Sequence, residues 1–187
     1  LAAIYHSDST DADDTSTLST AANVLVLRAT VTDADGDAVT HDLDVGNGGA
    51  FKLKDDGPSI DTTKVATLDT LTVDESDLGT NATANFADNF NVSGDVAISY
   101  GADGAGSTAY TLELTGSNVN SGLYALGTGG GQGNQIVLNQ TGNTITGSEG
   151  GTDYFTISID TATGVVTLDQ LAAIYHSDST DADDTST

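Results

Sequence analysis

Residues 1–17, LAAIYHSDSTDADDTST, recur letter for letter at residues 171–187. Seventeen identical residues do not recur by chance, so the 170-residue offset between the two copies is a period. That period far exceeds the roughly 20–50 residues of a solenoid unit and is long enough for an independent domain. The chain therefore reads as one period of a tandem array with a short overlap into the next copy, cut from a longer protein. Its first expected partners are neighbouring repeats of the same chain.

Composition and patterning then fix the fold class. With 22 Gly, a single Pro and frequent Thr and Val, the sequence reads all-β. Residues 23–32 (NVLVLRATVT) form the most strand-like run, and 38–45 (AVTHDLDV) alternates apolar and polar residues, so the two are predicted to pair as a hairpin across DADGD. A short strand is predicted at 50–54, and further strands at 65–73, 96–100, 109–115, 123–126, 135–139, 144–147, 154–160 and 165–168. The TATG between the last two suits a hairpin turn. Strands spaced by roughly 8–12 residues with turn signals between them predict a β-sandwich. The one helical expectation is a turn or two at 169–175 (DQLAAIY), with Asp169 as its N-cap.

Two places compete for the repeat boundary: the DDGP break at Asp55–Pro58 and the SDSTDADDTST tract. Pro58 donates no backbone hydrogen bond and restricts Gly57, so the break is preferred. On that view residues 1–57 are the C-terminal part of one repeat, 58–63 the linker, and 64–187 the N-terminal part of the next. The strands of 18–54, parted from the rest of their sandwich, are then free to complete a neighbouring molecule as a strand-swapped homo-oligomer.

The chain holds 28 Asp and Glu against 4 Lys and Arg, a formal charge of -24. Nucleic acid and anionic membranes are thereby excluded as favoured partners, because phosphate is repelled. No run approaches the roughly 18 apolar residues of a membrane span, so direct membrane insertion is not expected. All the acids but Glu75, Glu113 and Glu149 are Asp, a bias towards turns and oxygen-rich loops. Cysteine is absent, which removes disulfides as staples and leaves Ca²⁺ as the usual extracellular alternative.

Three acidic groups are candidate cation sites. In Asp33-Ala34-Asp35-Gly36-Asp37, carboxylates at alternate positions of a Gly-bent loop can converge on one ion. The closing acid of an EF-hand would fall on Asp44, which a β-hairpin misplaces, so a non-EF loop site is expected; a plain polar turn is the alternative. The second group is Asp55 and Asp56 with Asp61, followed by Asp74, Glu75 and Asp77, which would crowd like charges at the seam between repeats unless a cation bridges them. The third is the duplicated tract, Asp8, Asp11, Asp13 and Asp14 with Asp178, Asp181, Asp183 and Asp184, for which a solvated loop is at least as good a reading.

Catalysis finds little support. The only histidines are His6, His41 and His176, and neither G-x-S-x-G nor H-E-x-x-H occurs. The chain is not expected to be an enzyme.

The segments TVTDADGD (Thr30–Asp37), KDDGPSI (Lys54–Ile60), LTVDESDL (Leu71–Leu78) and VVTLDQLAAIYHSDSTDADD (Val165–Asp184) resemble the long repeats of giant RTX adhesins, type I-secreted, biofilm-associated surface proteins of Gram-negative bacteria. The resemblance implies an immunoglobulin-like β-sandwich extender module, and an extracellular place at the bacterial cell surface. It also implies Ca²⁺ at and near the linkers, carried by Asp55 and Asp56, by Asp74, Glu75 and Asp77, and by the DADGD aspartates. The function expected is a calcium-rigidified structural extender that projects a distal ligand-binding region for cell adhesion and biofilm formation. The alternative is a calcium-dependent binding module for a glycan or a partner protein.

Overall fold

The computed structural model describes residues 4–8, 10–92 and 95–177. The chain is all-β. In chain order its strands are β1 (Thr15–Thr17), β2 (Val26–Thr32), β3 (Ala38–Asp44), β4 (Lys52–Lys54), β5 (Ser59–Ile60), β6 (Ala82–Asn85), β7 (Asn91–Val92), β8 (Asp95–Val96), β9 (Ile98–Ser99), β10 (Val119–Leu126), β11 (Gln132–Thr141), β12 (Thr144–Glu149), β13 (Thr152–Ile159) and β14 (Val165–Gln170). Among the described residues the helices are 3₁₀ turns at Thr62–Lys64, Glu75–Asp77 and Phe86–Asn89. None is long and apolar enough to cross a membrane.

The chain divides into two compact units. Unit 1 comprises residues 1–60 and 98–106, and unit 2 comprises 61–97 and 107–187.

Unit 1 is built from antiparallel pairs: β1 with β4, β2 with β3, and β5 with β9. The predicted β2–β3 hairpin is present, in register from Val26↔Asp44 to Thr32↔Ala38. Because side chains alternate along a strand, Leu27, Ala29 and Val31 share one face with Val39, His41 and Leu43. The opposite face carries Arg28 directly across from Asp42, joined by two hydrogen bonds of 2.7 and 2.8 Å. Both groups are exposed, so the pair serves register more than stability. Among the described residues no apolar side chain of unit 1 is buried.

Unit 2 holds a core. Its six-stranded antiparallel sheet runs β10-β11-β12-β13-β14-β6, a meander of five consecutive strands with β6 added along β14. Ala125, Ile136 and Phe155 form the buried centre, and Leu123, Leu138, Ile157, Leu168 and Ile174 pack around it. Phe155 lies directly across from Gly147, whose missing side chain leaves room for the ring. The β13–β14 connection is the predicted TATG turn: Gly164 has φ +72°, and the Asp160 carboxylate accepts from the N–H groups of Ala162 and Thr163. Those two bonds hold the Asp160 carboxyl below the ordinary carboxylate range.

Three local expectations are corrected. Residues 169–175 are not helical: Asp169 pairs with Thr156 inside β14, and Ile174 bridges Ala125. Five ladder pairs to β13 and four to β6 outweigh the capping preference of a single Asp. Residues 109–115 and 65–73 carry strand-like sequence yet join no ladder. The Gln140 side chain of β11 instead accepts from the Leu114 N–H and donates to the Leu112 carbonyl, both at 2.7 Å. Asn89, in the last 3₁₀ turn, holds the other segment through the Thr67 carbonyl and the Ala66 N–H. Side-chain amides, in place of a ladder, thus hold both segments within unit 2.

Candidate metal site

The five residues Asp33–Asp37 connect β2 to β3, and their sequence explains their shape. The Gly36 N–H meets the Asp33 carbonyl at 3.3 Å, closing a turn, and the Asp33 N–H meets the Asp37 carbonyl at 2.9 Å. Gly36 takes φ +102°, a region that only glycine enters without strain, which lets the chain rejoin the strand after the turn. Asp33 Oδ1 accepts from the Gly36 and Asp37 N–H groups at 3.1 and 2.9 Å. One carboxylate therefore shapes the loop while its neighbours stay on the surface.

The result is convergence. Asp33, Asp35 and Asp37 each place a carboxylate oxygen within 4.8 Å of the other two, all three exposed. The Asp33 carboxyl is held below the usual carboxylate range, first by a side-chain hydrogen bond from Asp35 and then by the Asp37 N–H. Carboxylates this close repel one another, and a hard cation between them relieves the repulsion. Three oxygens on one open loop can give a divalent ion part of its shell, with water supplying the rest.

Asp44 plays no part in that shell. It sits at the opposite end of the hairpin, where Oδ2 accepts from the Asn23 N–H and Oδ1 from those of Gly46 and Asn47. Those bonds hold its carboxyl below the ordinary range, and the six residue steps of β3 separate it from the loop by about 20 Å. The hairpin geometry thus rules out an EF-hand closure.

The remaining sequence-predicted acids are placed differently. In unit 1, the Asp55 N–H bonds the Asp14 carbonyl at 2.8 Å, the Asp55 carboxylate accepts from the Asp56 N–H, and the Asp56 carbonyl accepts from Ala102. In unit 2, Asp61 and Asp74 each N-cap a 3₁₀ turn, accepting from the N–H of Thr63 and of Ser76. Both carboxyls are held low, by the side chains of Thr63 and Ser76 first and their N–H groups second. Asp77 accepts from the Gly79 N–H and the Thr80 hydroxyl at 3.1 and 2.7 Å. Glu75 bonds the ring Nε2 of His176, a pairing across 101 residues that no local pattern signals. Among the described residues, the Asp33–Asp35–Asp37 loop is the one place where three such groups converge. Of the duplicated tract, Asp8, Asp11 and Asp14 serve local turns and Asp13 meets Lys54 Nζ at 2.6 Å, whereas Asp178, Asp181, Asp183 and Asp184 lie outside the described residues.

A family model, described as Domain of unknown function (DUF5801), matches residues 1–46 and 70–187. No curated protein and no solved structure matches the chain.

Proposed function

The chain belongs to the DUF5801 family, and we propose that it is a non-enzymatic, calcium-rigidified extender module of a bacterial surface adhesin. The observation that carries this reading is the exact recurrence of residues 1–17 at 171–187. Domain-sized copies in series suit spacing: each adds length, and none needs a reacting group. The RTX-like segments named above fit the same role, as does an acidic, cysteine-free surface outside the cell.

Calcium supplies the stiffness in this account. An ion that binds only the ordered loop stabilises it by RT ln(1 + [Ca²⁺]/Kd), and extracellular modules bind at about 10⁻⁴–10⁻³ M. A chain secreted from a calcium-poor cytoplasm then orders outside. At the β2–β3 loop the ion would sit among the carboxylates of Asp33, Asp35 and Asp37.

Calorimetric titration of the chain with CaCl₂ tests this. Asp35 accepts no backbone hydrogen bond in the loop, so Asp35→Asn removes ligand charge and leaves the turn in place. The substitution is expected to weaken the loop site about tenfold, since affinity in such sites follows ligand charge, while leaving the calcium-free circular dichroism unchanged. Equal calcium affinity in the two proteins would remove the loop from the account.

A further inference from the structure

The described parts of the two copies of the 17-residue segment have different surroundings. The second copy leaves β14 and docks on the sheet of unit 2. The N–H groups of Leu171 and Ala172 bond the Tyr154 carbonyl, Ile174 bridges Ala125, and the Tyr175 N–H bonds the Tyr124 carbonyl at 2.8 Å. Ile174 packs on the buried cluster, and His176 bonds Glu75. In the first copy Ile4 is 45 % and Tyr5 88 % exposed, while His6 Nδ1 lies 3.3 Å from the Ser16 hydroxyl.

The first copy shows instead what its second half does. Thr15–Thr17 pair with Lys54–Lys52, the Asp14 carbonyl accepts from Asp55, and the Ala12 carbonyl accepts from Gly57 at 2.9 Å. A Cβ on Gly57 would overlap Ala12, so the glycine of DDGP is what admits the tract. The segment thus has two engaged ends, one seen in each copy: LAAIYH on a unit 2 sheet, and ADDTST on a unit 1 strand.

Unit 1 needs such an attachment. Its β2–β3 hairpin presents Leu27, Val31, Val39 and Leu43 on one face, each exposed, with Leu27 paired to Leu43 and Val31 to Val39. A two-stranded hairpin with a bare apolar face is marginal in water.

We propose that the duplicated segment is a two-ended coupler that seats a preceding copy of unit 2 against unit 1, covering the apolar face of the β2–β3 hairpin. The occupant is fixed by identity: whatever precedes a copy of LAAIYH in the array ends as unit 2 does, with β14 leading into a docked Ile-Tyr-His. A functional module is then a unit 2 followed by the next unit 1, with the acidic tract running inside it. This rests on the tandem reading above and does not depend on calcium.

The absence of cysteine gives a direct test. Val39→Cys, at a position 68 % exposed, is labelled with a maleimide in the 187-residue chain and in a two-period polypeptide carrying residues 1–170 ahead of it. With the cysteine in the second period, labelling is expected to slow about tenfold or more, as for a site reached only through local opening. With the cysteine in the first period it stays fast, which controls for the substitution itself. Equal rates at the two positions overturn the coupler. Slow labelling that persists in chelator supports it even where the calcium account fails, and equal rates in a polypeptide that calcium still stabilises overturn it while sparing the extender reading.

Discussion

Phe155→Ala is expected to destabilise unit 2 by about 3–5 kcal/mol, read as a fall in the urea midpoint followed by tyrosine fluorescence. The ring is 8 % exposed, belongs to the buried cluster with Ala125 and Ile136, and lies across β12 at Gly147. Removing it forfeits the transfer energy of an aromatic side chain and leaves a cavity that the surrounding side chains fill only in part. The Gly147 pairing adds a second arm. A Cβ there would overlap the Phe155 ring, so Gly147→Ala is expected to cost about 1–3 kcal/mol by overpacking. In the Phe155→Ala background the same substitution points into the vacated space and costs little. Additive effects in the double mutant would show that the ring does not rest on the glycine.

Gly101→Ala carries the next largest effect, in unit 1. Gly101 has φ +75°, and a Cβ on it would overlap the carbonyl oxygen of Asp56. The left-handed penalty and the overlap together amount to about 2 kcal/mol or more, and backbone atoms on both sides leave no flexible side chain to yield. The contact at risk is the 3.0 Å hydrogen bond from the Ala102 N–H to Asp56, which with the β5–β9 pairing ties residues 98–106 to the DDGP region. Amide exchange at Ala102 is therefore expected to accelerate about tenfold or more. Gly104→Ala is the control: its φ is +90° but nothing lies within 4 Å of the added Cβ, so it meets the conformational penalty alone. Equal acceleration in both variants would remove the close approach to Asp56 as the reason for glycine at 101.

What was legible in the sequence was whatever local pattern decides. The β2–β3 hairpin follows from the strand-like run before DADGD and the alternation after it, and the register places Leu27 across from Leu43. The TATG turn follows from Asp160 and Gly164. Illegible were outcomes set by a distant partner. Residues 109–115 have strand-like sequence, yet the group that meets their backbone is the Gln140 amide, so no ladder forms. Asp169 has the makings of an N-cap, but pairing to Thr156 decides its conformation. At the candidate site the alternating aspartates were readable and so was the misplacement of Asp44. The use of Asp61 and Asp74 as 3₁₀ caps was signalled only by the hydroxyl residue two positions on, Thr63 and Ser76. DDGP reads as a break because of Pro58, whereas the glycine beside it is required by the close approach of Ala12, 45 residues earlier.

These parts describe a chain whose stability and length have different sources. Unit 2 has a buried centre of its own, unit 1 has apolar strands and an acidic loop in place of one, and the repeated segment has an engaged end in each. In the proposed array, apolar burial holds each module together, and calcium on exposed carboxylates limits how far it can bend. Small-angle scattering from a polypeptide of several periods, in millimolar calcium and then in excess chelator, separates the two contributions. The account predicts a shorter maximum dimension in chelator with the β-sheet circular dichroism retained. A maximum dimension unchanged by chelation would contradict calcium-dependent stiffening.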